Sequence, residues 1–181
     1  MKGEVQSYHP IAKILHWGMA ALIIGLLVLG HFMEEIPKGT DLRLEAFTIH
    51  KAIGVVALLL ALARIGWRLT AGAPAAPASL TPAEQRVGHL MHLALYVLMI
   101  AMPLAGILMS QAGGHPVALL GVDIPNLIGK DPGLHEMFED THGALGWVLA
   151  VLVFVHAAAA LRHHYQLRDD VMKRMLPGTV S

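Results

Sequence analysis

The chain has 181 residues, 55% of them hydrophobic and only 14% charged, and its mean hydropathy is +0.58. Soluble domains are more polar than this, and the balance of 13 basic against 13 acidic residues gives no case for a nucleic-acid partner. With no cysteine there is no disulfide, no thiolate cage and no C-x-x-C-H attachment, so any metal centre must use histidine or oxygen ligands.

Four apolar runs stand out, Trp17 to Met33, Phe47 to Trp67, Leu90 to Ser110 and Thr141 to Leu161. With their flanks they predict helices over about 14–33, 47–67, 89–110 and 141–162, each near the roughly 20 residues that cross a bilayer. The fold class expected is all-α: one domain over 1–181, an integral membrane four-helix bundle. The first run ends in Met33-Glu34-Glu35-Ile36-Pro37, which is no small-residue cleavage site, so it reads as a retained helix rather than a signal peptide. Gly18, Gly25 and Gly30 within it permit close approach of a neighbouring helix or a flat cofactor. The second run carries Lys51 and Arg64 near opposite ends, where long side chains can snorkel to the headgroups.

After the second run, Ala71 to Ala78 reads as a semi-extended linker, and Thr81 caps a helix that begins at Pro82. Pro103 is expected to kink the third helix. The longest connection, Gln111 to Asp140, contains Pro116 to Val122, too short to span and read as an interfacial or re-entrant piece. Nine Lys and Arg flank one side of the membrane: Lys2, Lys13, Arg64, Arg68, Arg86, Arg162, Arg168, Lys173 and Arg174. Four flank the other: Lys38, Arg43, Lys51 and Lys130. The positive-inside rule then places both termini in the cytoplasm.

Histidine carries the chemical signal. There are 12, and six lie in or at the mouths of the apolar runs, where a titratable group needs a compensating partner. Imidazole is neutral at physiological pH and suits haem iron. His142 and His156 are fourteen residues apart on the fourth helix, so on an ideal helix they lie about 21 Å apart and within about 40° of one face. One haem cannot use both, but two stacked haems can. Matching depths pairs His16 with His156 on the inner side and His50 with His142 on the outer side. Gly54, Gly143, Gly146 and Ala157 to Ala160 are small neighbours that leave room for a porphyrin. His89 and His92 suit contacts to a haem propionate, with axial ligation as the competing role. His163 and His164, beside Arg162 and Tyr165, suit a quinone carbonyl and its protons, or else a headgroup anchor. His31 has no assigned role, and His9 and His115 are expected to be solvated. No residue is assigned as catalytic.

The pieces His16-Trp17, Ile49-His50, Gly88-His89-Leu90-Met91-His92 and Ala101-Met102-Pro103-Leu104-Ala105-Gly106 resemble the bacterial cytochrome b561 family. The strongest match is Val155 to Tyr165, followed by Arg174-Met175-Leu176-Pro177. That family is related to the membrane cytochrome b subunits of nickel hydrogenases and formate dehydrogenases. The resemblance, which runs from about Tyr8 to Pro177, implies two b haems held by His16, His50, His142 and His156. It also implies a location in the bacterial inner membrane and exchange of electrons with ubiquinone. Compact members are similar to superoxide oxidases, which pass an electron from periplasmic superoxide to ubiquinone. On that reading Lys51, Lys38, Arg43 and Lys130 steer a small anion to the outer mouth. The alternative is a relay or anchor subunit between a periplasmic dehydrogenase or hydrogenase and the quinone pool. A third class, a histidine-lined permease or metal transporter, would hold no haem.

Overall fold

In a computed structural model, which describes residues 7–178, four long helices follow one another: α1 (Pro10–Phe32), α2 (Asp41–Ala71), α3 (Pro82–Ala112) and α4 (Pro132–Arg162). Lys2, counted above in the inner-side charge, lies outside the described residues. All four are long and apolar enough to cross a membrane, with mean hydropathy between 2.0 and 2.3 over their most apolar windows. Large apolar side chains such as Ile14, Val28, Leu59, Val97 and Phe154 remain exposed on their outer surfaces. An apolar exterior around backbone groups that are satisfied within helices is what hydrocarbon demands.

Three of the expected spans lie wholly on one helix and the first ends one residue past α1, in the 3-10 turn Met33–Glu35; polar caps start α2, α3 and α4 ahead of their apolar stretches. Thr40 Oγ1 accepts from Arg43 N, and the Asp131 carboxylate accepts from Leu134 N ahead of Pro132. At α3, Thr81 caps a helix that begins at Pro82, as the sequence suggested, and Glu84 completes a reciprocal capping box with it. Pro103 does not end α3, which continues for nine further residues. Membrane helices tolerate such a proline when neighbouring groups satisfy the freed backbone.

Sequence neighbours pack together, α1 on α2, α2 on α3 and, most extensively, α3 on α4, while α1 and α4 touch at only a few points. The start of α1 and the end of α4 therefore fall at one end of the bundle, called the termini end, and the long third connection closes the far end. There the segment expected to be interfacial or re-entrant forms a hairpin. Ala118–Leu119 (β1) pairs antiparallel with Val122–Asp123 (β2), and Leu120 and Gly121 at its tip both take positive φ, 53° and 80°. Two left-handed residues make the tight turn whose twist matches a hairpin. Val117 just before it is fully buried and packs with Val55 of α2 and Ile107 of α3, which seats the hairpin on the bundle. Gln111 holds the rest of the connection, donating to Pro125 O and accepting from Leu127 N.

At the termini end the tail folds back as a strap. Trp17 Nε1 donates to Met175 O at 2.8 Å, Tyr8 N donates to Arg174 O at 3.1 Å, and the Arg174 guanidinium reaches Ala75 O across the linker.

Candidate functional site

Two imidazole couples form inside the bundle, one toward each end. His50 of α2 faces His142 of α4 with ring centroids 6.2 Å apart, and His16 of α1 faces His156 of α4 at 6.1 Å. The pairing expected from depth is thus the pairing found in space. Two bonds of roughly 2 Å to a shared metal ion plus the ring half-widths bring imidazole centres to about 6 Å. Among the described residues no group of three His, Asp or Glu converges to hold a metal alone. Two facing imidazoles suit an ion whose remaining ligands come from a macrocycle, as in haem.

The far-end couple is shaped by glycine and by one backbone carbonyl. His142 Nδ1 donates to Met102 O of α3 at 3.0 Å. That bond fixes the proton on Nδ1 and leaves Nε2 as the free electron pair, the usual arrangement behind a metal-bound histidine. A Cβ on Gly106 would lie 3.0 Å from His142 Cε1, a tight contact that the ring would have to relieve by a small shift, so glycine here lets the ring sit close to α3. Gly30 of α1 makes the same allowance for His50, whose Cε1 would be 3.1 Å from an added Cβ. Of the small residues expected beside the ligands, Gly54 lines the cavity here, Gly146 faces Met102, and nothing lies close to Gly143. The cavity lies between the four helices and is walled by Met19, Ile23, Leu98, Met99 and Leu149 beside the two histidines. His50 Nδ1 is buried there without a hydrogen-bond partner, which is costly in an apolar interior. An apolar slot between two facing imidazoles, one of them already oriented by a carbonyl, fits a flat porphyrin.

The termini-end couple has polar company. The ring of His92 lies 5.4 Å from that of His156, while His89, one turn earlier, is exposed. Trp17, tethered by the strap, meets His16 edge-on at 5.1 Å. Arg64 does not snorkel to the headgroups as the sequence suggested. Its guanidinium turns inward to His16 Nδ1 at 3.1 Å and lies 5.9 Å from the Tyr96 ring, an acceptor and an aromatic face that suit a cation.

Beyond α4 the backbone widens into a π-helical turn, His163–Leu167, closed by Arg168 at φ 53°. The wider turn carries His163 to Asp169, and its Nδ1 lies 2.6 Å from the carboxylate with both side chains largely covered. His164 Nδ1 is buried with no hydrogen-bond partner, and its ring meets Tyr165 edge-on at 4.8 Å.

The other histidines serve structure. His9 caps α1 and meets the Trp67 ring at 5.0 Å, His31 stays exposed near Trp147, and His115 is exposed. His135, without a role in the sequence reading, fixes its Nδ1 on Met109 O at 2.9 Å. Asp169 and the Met102 carbonyl were also missed. Each belongs to a segment whose similarity to the family was legible, but only the fold reveals what it touches.

At the far mouth, Arg43 is bonded to the carbonyls of Met33, Glu34 and Ile36, and Lys51 Nζ donates to Pro116 O at 2.8 Å. Carbonyl partners hold these charges in place without neutralising them.

Residues 7–178 match the family described as prokaryotic cytochrome b561. Among its relatives, cytochrome b561 homolog 2 of Escherichia coli is 32% identical, over 97% of this chain and 94% of that protein. The probable superoxide oxidase CybB of Yersinia pestis is 30% identical, over 71% of this chain and 73% of its own length. Cytochrome b562 of Cereibacter sphaeroides is 28% identical, over 94% and 95% of the two chains. With four spanning helices and this match along nearly its whole length, the chain belongs to the prokaryotic cytochrome b561 family, bacterial membrane proteins that bind haem b and carry electrons across the membrane.

Proposed function

We propose that this cytochrome oxidises superoxide at its far, periplasmic end and reduces ubiquinone at its cytoplasmic termini end, with His50 and His142 ligating one b haem and His16 and His156 a second. The observation that carries the reading is the pair of facing imidazole couples, one toward each end of α4 and each spaced for a shared ion. When bound, the haems supply one-electron redox chemistry at both ends. The chain's own residues do the rest. Met102 O orients His142, Gly30 and Gly106 make room for the rings, and the apolar wall excludes water from the slot. At the far mouth the held charges of Lys51 and Arg43, with the exposed Lys38 and Lys130, attract a small anion.

Quinone reduction also consumes protons. Two superoxide ions, one quinone and two protons give two dioxygen molecules and one quinol. His163, oriented by Asp169, is placed at the termini end to hold such a proton on Nε2 while Nδ1 faces the carboxylate. His92 borders the inner couple and His89 lies nearer the surface, where both suit contacts to a propionate. The name of the Yersinia pestis relative supports superoxide as the donor.

A second reading, a relay subunit for a periplasmic dehydrogenase or hydrogenase, draws on the exposed apolar tip of the far-end hairpin, Leu120 and Val122, with Leu127 nearby. Such a patch suits a docked partner. Purified protein supplied with a superoxide source and a soluble ubiquinone separates the two. Quinol formed by the protein alone supports the oxidase, and none formed by a fully haem-loaded preparation leaves the relay.

A further inference from the structure

Arg64 lies fourteen residues beyond His50 on α2, within a helix apolar enough to span the membrane. Its terminal Nη2 is 3.1 Å from His16 Nδ1, and its Nη1 is buried with no hydrogen-bond partner. Among the described residues no carboxylate forms an ion pair with it. A guanidinium held in a membrane interior without an anion is among the most expensive groups such an interior can contain, since it never gives up its proton. What surrounds it is the termini-end couple with His92 and Tyr96.

The contact with His16 is itself incompatible with ligation. An imidazole bound to iron through Nε2 keeps its proton on Nδ1 and has nothing to offer a guanidinium. Arg64 then faces two buried N–H directions without acceptors, beside a site where a haem brings carboxylates of its own. Arginine's planar fork suits a carboxylate.

We infer that Arg64 is the positioning residue of the termini-end haem: it pairs with a propionate and, as a fixed positive charge close to the iron, favours the reduced state there. This rests on the reading of His16 and His156 as a ligand couple. Arg64 touches a ligand ring on this side, whereas the far-end cation Lys51 is turned away to Pro116 O at the mouth, and that difference sets the potentials apart and draws electrons toward the termini end.

The test is a redox titration with haem quantification on the purified holoprotein and its Arg64→Gln and Arg64→Lys variants. Arg64→Gln keeps both haems, moves the reduction equilibrium of one by about tenfold toward the oxidised form, about 59 mV for a one-electron couple, and leaves the other unmoved. Arg64→Lys, which keeps the charge, restores most of that shift. Two unmoved potentials in Arg64→Gln overturn the inference. Should Arg64→Gln fail to assemble, Arg64→Lys decides through the redox-difference infrared spectrum, in which the propionate carboxylate band moves when the fork is lost. An unmoved band overturns the pairing. Two haems retained in His16→Ala would instead remove the ligand assignment beneath it, a separate failure with its own readout.

Discussion

The two histidine couples have nearly the same spacing and opposite surroundings. At the far end the rings sit close against glycines, that of His142 is oriented by a neutral backbone carbonyl, and Met and Leu wall the slot. At the termini end they share space with a third histidine, a tethered tryptophan and a buried guanidinium. One α4 face supplies a ligand to each, so the symmetry comes from the helix and the asymmetry from its neighbours. Charge near iron shifts its potential, and a cation in contact with a ligand ring at one couple, with Lys51 turned to the mouth at the other, gives electron flow a direction that the ligands do not.

Deleting ligands breaks the comparison most severely. His142→Ala and His50→Ala each remove the far-end haem and leave the other, while His16→Ala and His156→Ala do the converse; haem-to-protein ratios and reduced-minus-oxidised spectra check this, and two haems in all four variants would defeat the assignment.

A smaller change tests the notch. Gly106→Ala brings a methyl to 3.0 Å from the His142 ring, whose small displacement strains its bond to the Met102 carbonyl. Overpacking of this kind costs about 1–3 kcal/mol, so far-end haem occupancy or its spectrum changes while the termini-end haem keeps its own. An unchanged far-end spectrum argues that the ring has slack.

Asp169→Asn sharpens the contrast from the other side. It removes the carboxylate that orients His163, so quinol formation falls about tenfold, a typical loss for a misplaced proton donor being a decade or more. Both haem spectra and superoxide oxidation by a non-protonic acceptor stay as they were. Equal losses with both acceptors would place Asp169 in folding instead.

The mildest effect lies outside both couples. Thr81→Ala removes one capping partner at α3 and lowers stability by about 1 kcal/mol, read in thermal melts, with haem content and both potentials unmoved.

Much of this arrangement was legible in the residues. The apolar runs announced the helices, and the fourteen-residue interval on one helix announced two sites, because helix pitch turns sequence distance directly into depth and direction. Thr81 and Pro82 marked a helix start for the same local reason. What stayed hidden depends on packing between helices. Nothing along the chain says that Met102 O meets His142, or that Gly106 is the notch for its ring. Arg64 read as a snorkelling residue because its distance from the run's end fits one, and only α1 lying alongside gives its guanidinium a nearer destination. The hairpin at 118–123 was missed because its two-residue strands are shorter than any periodicity can register, and Leu120 at a left-handed turn is an unusual choice for that position.

The most direct measurement is the haem content of the purified wild-type protein together with its equilibrium redox titration. The account predicts two b haems per chain with two resolved midpoint potentials, the higher one lost in His156→Ala. A single haem per chain, or two whose higher potential survives in that variant and disappears in His50→Ala, would contradict it.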